Sequence, residues 1–337
     1  MRKCHALFLL FPLAALPLVA TMLDTPRSTP PPALLVANQG DRTLSIIDPA
    51  TGKQVAAVPV GGVTGHEVVA SPDGRIAFVP IYGNSGVAKP GTDGTTMAVI
   101  DIPSRKVTGT VDFGHGVRPH CAVYDPVSKL LYITTELDQA IAIIDPQSLK
   151  IVGSLPTGRA YSHMFAISHD GRRGYTSNVK PGSVSVIDMA ARKVVTVIPI
   201  SAESQRISVS RDDSMAFTSD QTTPRLAVID TASNALKSWV DLPGTGYGTS
   251  STLDGKWLLV AIPDRNLVAV VDLKTLKVTR TINVPAAPQE ILMRPDGKEA
   301  YVSCNVKNQV AVIDLGDWKV TALIDAGKTA DGLAWAR

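Results

Sequence analysis

Histidine is scarce in this chain, six in 337 residues, and three of the six are spaced in a way that could do chemistry. His66, His120 and His163 recur at nearly even intervals. Each lies just before a short apolar run that ends at a turn, SPDG at residues 71–74 being the clearest. Extending the same register through the chain gives His66, His120, His163, Arg206, Tyr247, Gln289 and Asp331, a different polar side chain at almost every step. The next position reads Glu67, Cys121, Met164, Ile207, Gly248, Glu290 and Gly332. Three imidazoles meeting in a pocket would suit a divalent metal, zinc or iron, with an open position for water or substrate. Asp331 would be a fourth ligand or would orient a histidine from behind. Arg206 would suit a carboxylate or phosphate on an anionic small molecule. Tyr247 could donate a proton or a hydrogen bond, so Arg206 and Tyr247 are the candidate catalytic groups. Gln289, Glu67 and Glu290 complete the expected ligand-binding set.

These residues can be neighbours only if the fold gathers positions far apart in sequence, and the sequence contains a repeat that does so. A hydrophobic run ending on Asp recurs seven times: LSIID at Asp48, MAVID at Asp101, IAIID at Asp145, VSVID at Asp188, LAVID at Asp230, VAVVD at Asp272 and VAVID at Asp314. The interval between successive aspartates starts at 53 and settles at 42. A period near 42 with several short strands per unit predicts a β-propeller. The four strands of a blade can be read from one unit. Residues 164–168, 174–177, 184–188 and 194–200 are short runs, the last two rich in Val and Ile, and HDG at residues 169–171 makes the turn after the first. The seven aspartates need no ring of their own: each precedes Pro, Thr, Leu, Met or Ile and a turn, where its side chain can accept backbone N–H groups.

The turn recurs as SPDG at 71–74 and RPDG at 294–297, and the second strand as YTSN at 175–178 and YVSCN at 301–305. On these motifs the chain resembles the YVTN-repeat family of β-propellers over residues 34–337. The resemblance implies that the strand before SPDG lines the channel and that the strand after the VID run is outermost. It says little of function, because propellers of this kind host many.

The first unit begins at Leu34 with a second strand, and the chain ends in an inner strand, residues 333–337, with nothing after it. The expected fold is therefore an all-β, seven-bladed propeller of four-stranded blades, residues 34–337, closed where the C-terminal strand joins the N-terminal ones. The polar register then rings one mouth of the channel. The first interval is longer than the later ones, and its extra residues fall between Ile81 and Thr96, including Gly83, Gly86, Gly91 and Gly94. Such a loop could be a lid over that mouth. Cys121 and Cys304 lie on distant blades and are expected as free thiols. His169 reads as a turn residue.

Residues 1–20 read as a signal peptide, with Arg2 and Lys3 before the apolar run 7–20, and residues 21–33 as a Pro-rich linker. A periplasmic or secreted protein is expected, monomeric and without a membrane span. Without Arg2 and Lys3 the basic and acidic residues nearly balance, so nothing in the charge favours nucleic acid. There is no phosphate-binding loop, Ser–His–Asp arrangement, heme-attachment CxxCH or EF-hand loop. Two function classes follow: a metal-centred enzyme (lyase, hydrolase or oxygenase), or a non-catalytic propeller that binds a small ligand, an envelope component or a protein. Aromatic residues make up only 5% of the chain, which argues against a large protein-binding face.

Overall fold

Residues alternating in hydrophobicity, cut by Gly, Asp and Asn turns, fold here into seven four-stranded antiparallel sheets around one channel. The computed structural model describes Met1 and residues 30–63 and 65–337. The expected signal peptide and most of the linker lie outside the described residues. The first six blades run in chain order from Val69 to Asp112, Pro119 to Pro156, Ser162 to Pro199, Ser204 to Asp241, Thr249 to Asn283 and Pro288 to Asp325. They are numbered here as blades 1 to 6. Blade 7 is built from both ends of the described chain, Ala330–Ala336 as its inner strand beside Ala33–Asn38, Thr43–Asp48 and Lys53–Pro59. Helix is confined, among the described residues, to two single turns, Pro263–Arg265 and Asn305–Lys307. No helix among the described residues is long and apolar enough to cross a membrane.

The VID strands hold the ring together. Val184, Val186 and Ile187 are buried, as are their counterparts in every blade, because each blade packs both faces against neighbours. The apolar clusters accordingly lie between adjacent blades. One joins Leu35, Ile46 and Val58 of blade 7 to Ala77, Val79 and Ile100 of blade 1. Burying one such side chain contributes about 1.5–3 kcal/mol. The outer strands bury only one residue in full, at the same place in each blade: Val58, Val111, Leu155, Ile198, Val240, Ile282 and Ile324. Each outer strand also shifts register once against the VID strand. Such bulges increase the twist that blades need.

Closure follows the expected register, with Leu34 opposite Trp335 and Val36 opposite Leu333. Trp335 also stacks on Tyr301 of blade 6, ring centroids 5.9 Å apart. The VID aspartates accept turn hydrogen bonds: Asp48 takes the Ala50 N–H at 2.9 Å and Asp314 the Asp317 N–H at 2.7 Å. Cys121 and Cys304 are free and buried.

Candidate functional site

The polar register sits where the inner strands are irregular. Pairing of inner and second strands slips between Pro119 and Ala122, Ser162 and Met164, Gln205 and Ser208, and Pro288 and Ile291. His120, His163, Arg206 and Gln289 occupy those slips. A bulge releases a residue from the ladder and re-aims its side chain. Hydroxyls of the second strands hold the bulges open. Thr134 Oγ1 accepts the Cys121 N–H at 2.9 Å and donates to the His163 carbonyl at 2.9 Å, and Thr218 Oγ1 donates to the Arg206 carbonyl at 2.7 Å. Arg206 itself has φ +61°, a left-handed backbone rare for a side chain of its size.

Three histidines form a row. The His66 and His120 ring centroids are 5.0 Å apart, and those of His120 and His163 are 3.6 Å apart with planes tilted by 33°. Tyr82 sets its edge or face against all three at 5.3–5.7 Å. The two outer rings are backed by carboxylates. Glu136 Oε2 lies 3.2 Å from His163 Nδ1 and accepts the Tyr82 hydroxyl at 2.7 Å. Asp331 Oδ2 lies 3.3 Å from His66 Nδ1; the Gln39 amide donates to that oxygen and stands 2.7 Å from the same ring nitrogen. His120, in the middle, keeps its Nδ1 buried without a hydrogen-bond partner. Burial, with the neighbouring imidazoles, holds His120 well below the ordinary histidine range. Burial also lowers His163, against the pull of Glu136. Both rings are thus neutral donors near pH 7.

Beside the row, Arg206 reaches across the channel. Its guanidinium donates to Glu67 Oε1 of blade 1 at 2.5 Å and Asp331 Oδ1 of blade 7 at 3.2 Å, with Glu290 Oε2 at 3.9 Å. It lies 4.7 Å over the Tyr247 ring. Burial raises Glu67 well above the ordinary carboxylate range and raises Glu290 as well. Asp331 goes the other way: burial would raise it, but the bond to His66 and the charge of Arg206 leave it lowered. Arg206 therefore has its charge answered from inside the protein. The anionic ligand expected there would have to displace internal carboxylates.

The structure thus brings together His66, His120, His163, Arg206, Tyr247, Glu67, Glu290 and Asp331. It does not bring in Gln289, whose amide turns back to the Ala287 carbonyl at 3.4 Å. Sequence reasoning missed Gln39, Tyr82, Glu136 and Arg118. The first three share a register of their own. Leu35, Phe78 and Tyr132 pair with Ile46, Val99 and Ile143, the equivalent residues of three VID runs, and each missed residue lies four further on. Aligning this position, at or just past the end of the second strand, would have found them.

Among the described residues no three His, Cys, Asp or Glu side chains stand ready as a finished metal cage. The His120 and His163 rings lie 3.6 Å apart with their planes tilted by 33°, and Nδ1 of His163 and of His66 each faces a carboxylate rather than a common centre. Imidazole is a donor type that divalent metals take, and His120 Nδ1 is buried without a partner.

The family profile described as "Cytochrome D1 heme domain" matches residues 126–334. No curated protein matches the chain. Among solved structures, a chain of Kuenenia stuttgartiensis hydrazine synthase is similar, with TM-score 0.72 and 20% identity over 84% of this chain and 92% of that one. A functionally unknown protein from Desulfotomaculum acetoxidans DSM 771 has TM-score 0.74 and 13% identity over 90% of this chain and 99% of that one. At these identities the two structures speak for the fold. The YVTN-repeat resemblance continues to rest on the second-strand motifs alone. Of the site residues, Gln39, His66, Glu67, Tyr82, Arg118 and His120 precede the matched stretch. A heme does not fit the channel mouth as it is built. A flat macrocycle needs an open slot beside an imidazole, whereas His120 and His163 are buried against each other and the Arg206–Glu67 pair spans the channel next to them.

Proposed function

The chain belongs to the cytochrome D1 heme domain family, and on that premise we propose that its channel mouth binds a divalent metal ion, zinc or iron, in place of a heme. The observation that carries this reading is the backing of the histidine row. His163 is oriented through Nδ1 by buried Glu136, His66 by Asp331, and the central His120 has a buried ring nitrogen with nothing to bond. Carboxylate-backed imidazoles around an unsatisfied one are the arrangement that tunes metal ligands. With Nδ1 of His163 donating to Glu136, its Nε2 keeps a lone pair for the ion. Asp331 serves behind His66 here, since its other oxygen is committed to Arg206.

A bound ion would polarise the oxygen of a small molecule or of water. Around it, Tyr82 packs the rings in place, and Glu67 and Glu290 stand beside Arg206, which lies over the Tyr247 ring. Those groups suit metal-assisted lysis, hydrolysis or oxygenation of a small molecule. The N-terminal apolar run 7–20 supports a periplasmic or secreted location. The test is a zinc and ferrous titration of chelator-treated protein by calorimetry. One ion per chain is expected, with loss of binding in His66→Ala, His120→Ala and His163→Ala. Equal binding by wild type and all three variants would overturn it.

A further inference from the structure

The end of the channel opposite the histidines has a register of its own. Aligning the turns that follow the inner strands puts Pro72, Pro126, His169, Arg211, Leu253, Pro295 and Arg337 at one position. Pro presets such a turn, so the two arginines are departures that the turn does not need. Arg211, Leu253, Pro295 and Arg337 belong to four consecutive blades, and they rim a cavity of about 530 Å³ inside the channel. Half-buried Val69, Ala122, Leu292 and Met293 and buried Ala334 form its walls. Its inner end is Glu290, 3.9 Å from the Arg206 guanidinium that spans the channel to Glu67. A recess of about 240 Å³ shares Arg211, Leu253, Leu292 and Met293 with this cavity. Ser251 lines that recess, and its Oγ is buried without a hydrogen-bond partner.

The geometry points to a second binding site in this half of the channel, for a small molecule with an apolar body and one carboxylate, the carboxylate held at the rim by Arg211 with Arg337 as a second donor. Charge favours an anion there. No Asp or Glu lines the rim, since Glu290 lies at the inner end. The aspartates next to the register turn back into their own turns: Asp212 takes the Ser210 and Ser214 hydroxyls at 2.6 and 2.8 Å, and Asp254 the Thr252 hydroxyl at 2.6 Å. His169 is engaged, its Nδ1 2.7 Å from Asp213 Oδ1, whereas among the described residues neither Arg211 nor Arg337 forms an ion pair. A guanidinium offers paired N–H groups that match the two oxygens of a carboxylate. The walls take hydrocarbon out of water, and Leu253, 40% exposed at the rim, extends that apolar surface outward. A concave, mostly apolar cavity with a few convergent polar groups is the form that small-molecule sites take. The Ser251 hydroxyl is left to bond a polar atom of the ligand. The site stands whether or not the histidine row at the other mouth holds an ion.

Octanoate is the probe, titrated by calorimetry into the whole protein after chelator treatment, so that no metal–carboxylate bond contributes. One saturable site is expected. Arg211→Ala and Arg337→Ala should each weaken it about tenfold, the effect of losing a charge-assisted hydrogen bond. The neutral analogue 1-octanol should bind wild type about tenfold more weakly than octanoate does, and its binding should not respond to either arginine substitution. Two measurements locate the site. Ala122→Leu narrows the cavity and should weaken octanoate. Trp335 lines the cavity, so octanoate should shift the tryptophan emission of wild type and leave that of Trp335→Phe unchanged. Absence of saturable octanoate binding would overturn the site. Octanoate affinity unchanged in both arginine variants, or equalled by octanol, would overturn the carboxylate grip. An emission shift retained in full by Trp335→Phe would show that octanoate binds outside the channel, and would overturn the proposal as well.

Discussion

Arg206 and Glu67 approach to 2.5 Å from blades that face each other across the channel, and neither side chain is more than 6% exposed. Removing the guanidinium would leave Glu67, Glu290 and Asp331 together without a cation. Arg206→Ala is expected to cost about 3–5 kcal/mol in urea unfolding, as one-sided removal of a buried pair does. Glu67→Gln should cost much less, because burial already pushes Glu67 toward its neutral form. Equal losses for the two variants would show Glu67 to be ionised.

The same pair sets the response to heme. Hemin added to the purified protein should give no saturable one-to-one shift of its Soret absorption. A saturable shift that disappears in His120→Ala would show that the mouth opens to a macrocycle after all.

Stability should depend on pH through the buried imidazoles. His120 and His163 are lowered in the folded state, so above about 6.5, the ordinary histidine value, they are neutral folded and unfolded alike. Below it the unfolded chain takes up protons that the folded one refuses. Their contribution is thus present above about 6.5 and is lost as pH falls toward the folded values, at up to about 1.4 kcal/mol per pH unit for each group. Unfolding of metal-free protein, followed by fluorescence from pH 8 to 5, should show this slope, and His120→Gln should flatten it. A slope unchanged in His120→Gln would show that His120 is not the group responsible.

Ring closure can be tested by truncation. Removing residues 333–337 takes away Leu333 and Trp335, with Leu333 buried and Trp335 stacked on Tyr301. Losing one buried Leu typically costs about 2–5 kcal/mol, and here two sheet edges are exposed as well. A marked drop in melting temperature is expected; no change would mean that the blade closes in another way.

The blade count, the closure and the histidine register were all legible, because each rests on a repeat that can be aligned. The bulges were not. Nothing in the residues around Ser162–Met164 or Gln205–Ser208 announces that the ladder slips there, and the hydroxyls that hold the slips belong to other strands. Reach was hidden too. In the register Arg206 looks like a hand held out to a ligand, yet its long side chain crosses the channel to Glu67. Glu136 and Tyr82 escaped because only the inner register was aligned, while their own register lies one strand further out. The three rings expected to share a point lie instead in a row, His66 and His120 5.0 Å apart and His120 and His163 3.6 Å apart.

Blade 7 sets the timing of the site. Asp331 and Gln39 are 292 residues apart in the chain, and both meet His66. A growing or clipped polypeptide short of its last dozen residues would already carry all three imidazoles, yet His66 would have no carboxylate behind it and Arg206 would lack one of its anchors. Competence at the mouth therefore arrives only with the final strand. If the mouth binds an ion as proposed, its uptake by such a chain would serve as a clock for the completion of the ring.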